Sequence, residues 1–169
     1  SVEELQINAT GAALQISVIN RNQRNVDNTE LKLMVPKGAS IDVSGVSADI
    51  DISGLDNEKL TANSVSGNVE VKALSGRVSI ESVSGDLAFS GETARISAET
   101  VSGDMNLSGV SGEIEATTVS GDMELQAGLV NSVKLETVSG DMTAVVEVSG
   151  NGRLSAESMS GDVTILLPA

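Results

Sequence analysis

The chain of 169 residues contains no cysteine, histidine, tryptophan or tyrosine, and one phenylalanine. Without cysteine there are no disulfides and no thiol chemistry, although a regular repeat does not need such staples. Without histidine or cysteine, Ser-His-Asp and Cys-His catalysis and zinc sites built on those ligands are excluded. With almost no aromatics, the core has to be built from Val, Ile, Leu, Met and Ala. Cations are also scarce: 10 Lys and Arg against 24 Asp and Glu leave a net charge of −14. So acidic a surface repels nucleic acid and anionic lipid, and neither is expected as a partner.

Long apolar runs are missing as well. No stretch approaches the ~20 apolar residues of a membrane span, so direct membrane insertion is not expected. No signal peptide is visible. The chain opens at Ser1 and stops in mid-pattern at Leu166-Leu167-Pro168-Ala169, which leads to the expectation of a piece of a longer protein.

What is present is a repeat. Val-Ser-Gly-Asp occurs at 83–86, 101–104, 119–122 and 138–141, and Met-Ser-Gly-Asp at 159–162. The aspartates Asp86, Asp104, Asp122, Asp141 and Asp162 are spaced by 18, 18, 19 and 21 residues, and Asn68 and Asp49 continue the series toward the N-terminus. A weaker series of bends lies midway between them, at Ser75-Gly76, Ala94-Arg95, Ser111-Gly112 and Asn131-Ser132. A fixed period of this size is the mark of a solenoid, in which each repeat packs on its neighbours. Each half-coil reads as a strand of roughly five or six residues and a bend.

Aligning the coils gives apolar columns. Val69, Leu87, Met105, Met123, Met142 and Val163 share one position, and Val71, Phe89, Leu107, Leu125, Ala144 and Ile165 lie two residues on. The opposite strand supplies Val78, Ile96, Ile114, Val133 and Leu154, with Ile80, Ala98, Ala116, Leu135 and Ala156 two residues later. Alternation with apolar columns on both strands predicts two parallel sheets facing each other. The fold expected is all-β: a single-stranded parallel β-helix, or β-solenoid, of about seven coils, roughly 34 Å long at ~4.8 Å per coil. The coils run to 18–21 residues each. The crossover preference of parallel strands predicts a right-handed coil.

At the bend, Val83, Val101, Val119, Val138 and Met159 are expected to plug the corner. Before them runs a hydroxyl column, Ser64, Ser82, Thr100, Thr118, Thr137 and Ser158, able to hydrogen-bond along the axis or simply small enough for the corner. The glycines supply positive φ, or room for the adjacent coil. After Asp141 the coil lengthens, with Val145-Val146-Glu147-Val148 running on and Asn151-Gly152 inserted, which predicts a bulge and a longer turn. Residues 1–40 are less periodic and are expected to cap the repeats of 41–169 within one continuous domain. Their strands are Leu5–Ile7, Ala13–Ile19 and Leu31–Val35, with a hairpin loop from Asn20 to Asn28.

Leu31-Lys32-Leu33-Met34-Val35-Pro36-Lys37-Gly38, leading into Ser-Gly-Asp repeats that end at Val163-Thr164-Ile165-Leu166-Leu167-Pro168, resembles the adhesin-type β-strand-repeat family of bacterial envelope proteins. The function of that family is unknown. The resemblance covers nearly the whole chain. It implies a parallel β-solenoid in an exported or membrane-associated protein, hence an extracytoplasmic location. The family supplies no catalytic residues to carry over.

One constellation could carry chemistry. Asp86, Asp104, Asp122 and Asp141 should line one edge at ~4.8 Å spacing, where neighbouring carboxylates repel by ~0.9 kcal/mol in water. Calcium could bridge them, since oxygen-only ligand sets suit that ion. The Gly-Gly-x-Gly-x-Asp turn of calcium β-rolls is nevertheless absent. The other reading is a solvated stripe whose carboxylates accept backbone N–H bonds at the bend. A polysaccharide-acting enzyme would need nonrepetitive carboxylates in an aromatic-lined groove, whereas every acidic cluster here is periodic. The function expected is a noncatalytic extracytoplasmic scaffold or interaction module, monomeric or weakly oligomeric, with no cofactor. Its expected partner is an envelope or cell-surface protein or glycan. The alternative is a calcium-dependent binding or adhesion module that uses the Asp ladder.

Overall fold

The computed structural model describes residues 4–10, 13–19, 38, 40–47 and 49–168. Among the described residues, eleven strands form one continuous sheet wound into about seven coils, with no helix. In chain order these are β1 (Glu4–Thr10), β2 (Ala13–Ile19), β3 (Ser40–Ser47), β4 (Ile50–Ser66) and β5 (Val69–Ser84). They continue with β6 (Leu87–Ser90), β7 (Thr93–Ser102), β8 (Met105–Ser120), β9 (Met123–Ser139), β10 (Met142–Ser160) and β11 (Val163–Leu166). β1 and β2 form an antiparallel pair covering the strands expected at Leu5–Ile7 and Ala13–Ile19. β2 then pairs parallel with β3, and every later pairing is parallel. The loop expected at Asn20–Asn28 and the strand expected at Leu31–Val35 lie outside the described residues.

The apolar columns stack as the alignment requires. Val69 pairs with Leu87, Leu87 with Met105, Met105 with Met123, and Met123 with Met142. On the opposite strand Val78 pairs with Ile96, Ile96 with Ile114, and Ile114 with Val133. These side chains are buried in a core that runs from Ile41 to Val146, with Leu154, Ala156 and Ile165 partly buried beyond it. Phe89 is buried within this column between Val71 and Leu107.

Most strands are longer than expected: β5 has 16 residues, β9 17 and β10 19. Coil-to-coil pairing continues through the mid-coil bend with local register shifts, as between Ser53 and Leu55 and between Ser108 and Val110. Gly54 (φ +72°) and Gly109 (φ +75°) turn the chain there without ending the ladder. Among the described residues, only in the coil containing Gly91 (φ +143°) does the bend split the strand, giving β6 and β7. The lengthened coil shows the expected irregularities, between Val145 and Glu147 and between Val148 and Arg153.

The Ser-Gly-Asp corner needs glycine twice over. Gly121 has φ +133°, and a Cβ there would lie 2.1 Å from the carbonyl oxygen of Gly103 in the preceding coil. Gly103 stands in the same relation to Gly85, at 2.3 Å. Positive φ and close coil approach therefore act at one atom.

The corner differs from expectation in which side chain points inward. Val83, Val101, Val119 and Val138 are exposed, and Ser82, Thr100, Thr118 and Thr137 are buried. The two-residue alternation that places Val78 and Ile80 inside runs on unbroken. Residue 82 therefore falls inside and 83 outside, whatever their polarity. Ser64 Oγ donates to the Gly67 carbonyl at 3.4 Å. The hydroxyls of Ser82, Thr100, Thr118, Thr137 and Ser158 have no hydrogen-bond partner among the described residues, so they do not bond along the axis.

Candidate binding groove

Outward-facing positions beside the Ser-Gly-Asp corner form rows parallel to the solenoid axis. The first contains Glu81, Glu99, Glu136 and Glu157, with Asn63 and Thr117 in the same register. Two residues on come Val46, Val65, Val83, Val101, Val119 and Val138, ending at Met159. Val83 is 50 % exposed and Met159 83 %. Six half-exposed valines in line, plus the methionine, make an apolar patch on the order of 400 Å², the size of the largest exposed patch on a typical monomer, which is often functional.

The patch is concave. Val46, Val65, Val83, Val101 and Val119, with Glu81 and Glu99 beside them, line a groove of about 560 Å³. A further stretch of about 330 Å³ shares Thr117 and Val119 with it and continues past Val138 to Met159. β-Branched side chains suit this position because they are stiff on a pleated surface. Their exposure lowers solubility, which the surrounding charge offsets.

The row of Asp86, Asp104, Asp122 and Asp141 lies on the other side of the valines, beyond the serines and glycines of the corner. All four are exposed. Each uses one carboxylate oxygen on the next coil. The Asp104 N–H donates to Asp86 Oδ1 at 3.0 Å, Asp122 N–H to Asp104 Oδ1 at 3.0 Å, and Asp141 N–H to Asp122 Oδ1 at 2.9 Å. Asp162 N–H closes the series on Asp141 Oδ1 at 3.0 Å. Asn68 Oδ1 accepts from Asp86 N–H at 3.0 Å, so an amide fills the same role as a carboxylate. The acceptor reading thus describes the ladder, with the donor in the following coil and not in the same bend. No group of three or more potential metal-ligating side chains converges among the described residues, so the calcium expectation has no multidentate cluster there.

Other charged groups form surface pairs. Arg95 bonds Glu113 across adjacent coils. Lys134 Nζ donates to Glu136 Oε2 at 2.9 Å and lies 3.5 Å from Glu115. The Glu136 hydrogen bond raises the Lys134 pKa above its ordinary 10.5, and the Glu70 hydrogen bond does the same for Lys72. Exposed pairs of this kind contribute little to stability.

The family model for Toastrack DUF4097 matches residues 3–168. The chain belongs to the Toastrack family. The Toastrack domain is a β-repeat family of unknown function, which agrees with the repeat character of the resemblance seen in the sequence. No curated protein and no solved structure matches the chain. No helix long and apolar enough to cross a membrane occurs among the described residues of this Toastrack domain.

Alternation continued from Val78 and Ile80 places Val83 outside, provided that it survives the corner, and the exposure of Val83 shows that it does.

Proposed function

We propose that this Toastrack domain is a noncatalytic, rigid module that binds a partner protein through the valine groove in an extracytoplasmic setting. The single observation that carries the reading is the line of exposed valines spanning successive coils. A rigid coil stack holds those side chains at fixed spacing, so the recognition surface is organised before binding and little ordering entropy is lost. A protein partner is favoured over a glycan: the only aromatic residue, Phe89, is buried in the core and cannot stack on a sugar ring. The absence of histidine and cysteine, together with the periodicity of every acidic cluster, supports a noncatalytic role. The extracytoplasmic, adhesin-like setting rests on the sequence resemblance to envelope proteins.

The test compares wild-type protein with the Val83→Ser/Val101→Ser variant as baits against solubilised envelope proteins. An identified partner held by the wild type and lost by the folded variant supports the reading. Equal retention by both baits sinks it.

A further inference from the structure

We infer that the groove receives a basic amphipathic helix of its partner, an assignment that rests on the groove being the binding face. An acidic row runs along the apolar row: Glu81 and Glu99 line the groove beside Val83 and Val101. Asp86 and Asp104 follow three residues after those valines, past the glycine of the corner and outside the groove lining. The same order recurs at Glu157, Met159 and Asp162. The complementary surface is an apolar stripe bordered by Lys or Arg on the side that meets the Glu row. The net charge of −14 steers such a segment inward and repels anionic ones.

Charge argues against a second copy as occupant. In a two-fold contact with antiparallel coils, the Glu row of one copy meets the Glu row of the other. With either direction of the coils, two chains of net charge −14 are brought face to face, which costs affinity.

Backbone chemistry argues against an extended segment. The corner's backbone groups are used between coils: Gly85 N–H donates to Ser102 O at 3.1 Å and Leu87 N–H to Asp104 O at 2.8 Å. These bonds run along the axis, so a strand laid in the groove would find side chains there in place of a sheet edge. A helix satisfies its own backbone and needs only side-chain contacts. Its 5.4 Å turn and the ~4.8 Å coil drift apart by only ~2 Å over about four turns. A segment of about 14 residues can therefore keep its apolar stripe over the valines.

The probe is a fluorescein-labelled Leu/Lys amphipathic peptide of about four helical turns, followed by anisotropy at low and raised salt. The expected result is saturable, salt-sensitive binding that falls about tenfold in Val83→Ser/Val101→Ser and by several-fold in Glu81→Gln/Glu99→Gln. Both variants should show wild-type melting curves. No binding, or binding indifferent to the valines, overturns the assignment. Equal binding of a proline-interrupted Leu/Lys peptide overturns the helix. Valine-dependent binding of a Leu/Glu peptide overturns the cationic partner but leaves the groove as the binding face. A valine-dependent dimer in sedimentation overturns the hetero-partner in favour of a second copy.

Discussion

The Asp122 backbone N–H donates to the Asp104 carboxylate at 3.0 Å across two successive coils. Each Asp in the row is therefore both a surface charge and a tie to the next turn of the solenoid.

Truncation and charge removal should separate at this residue. Asp104→Ala removes the acceptor and should lower stability by about 1 kcal/mol, the net scale of a typical hydrogen bond. Asp104→Asn keeps an acceptor, as Asn68 does naturally, and relieves the like charges above and below. It should change stability by less than about 0.5 kcal/mol. Urea midpoints measure both, and equal losses in the two variants would show that the bond contributes nothing.

Calcium added to chelator-treated protein should give no saturable heat and no shift in melting temperature. One carboxylate per coil, with an oxygen already bonded to backbone, is a poor multidentate site. Saturable heat that disappears in Asp104→Asn/Asp122→Asn would support the calcium-dependent reading.

Gly121→Ala should be among the most damaging single methyl additions in the chain. The new Cβ would meet the Gly103 carbonyl oxygen at 2.1 Å on a backbone at φ +133°. A conformation open in practice only to glycine costs about 1–3 kcal/mol before the clash is added. Gly128→Ala is the control, because nothing lies within 4 Å of its added Cβ. Thermal melts of the two variants should differ widely.

Thr118→Val should stabilise the protein. Thr118 is 1 % exposed, and its hydroxyl has no partner among the described residues. Replacing it with a near-isosteric methyl removes a desolvation cost of about 1–3 kcal/mol. A lower denaturation midpoint would reveal a bound water or other acceptor in the corner.

Alkaline pH should weaken the Lys134 cluster. Its pKa is raised above 10.5, chiefly by the Glu136 hydrogen bond. The contribution is therefore complete below the unfolded value and is lost as pH rises through the higher folded one. The side chain is exposed, so the effect is small. Wild type and Lys134→Met should differ less at strongly alkaline pH than at neutral pH, as read from melting temperatures.

The sequence alone determined the period, the apolar columns and the need for glycine at the corner. These are consequences of local chemistry repeated at fixed spacing: alternation of Val78, Ile80 and their equivalents, and a turn that L-residues with a Cβ cannot make. Two features were decided by tertiary structure. Which of Thr100 and Val101 points inward depends on whether alternation survives the corner. Hydrophobicity favours Val101 inside, whereas the continuous ladder places Thr100 there. The role of Asp104 depends on a donor in the following coil, 18 residues away. Spacing brings the two coils together, but only the stacked backbone shows that an N–H there aims at the carboxylate.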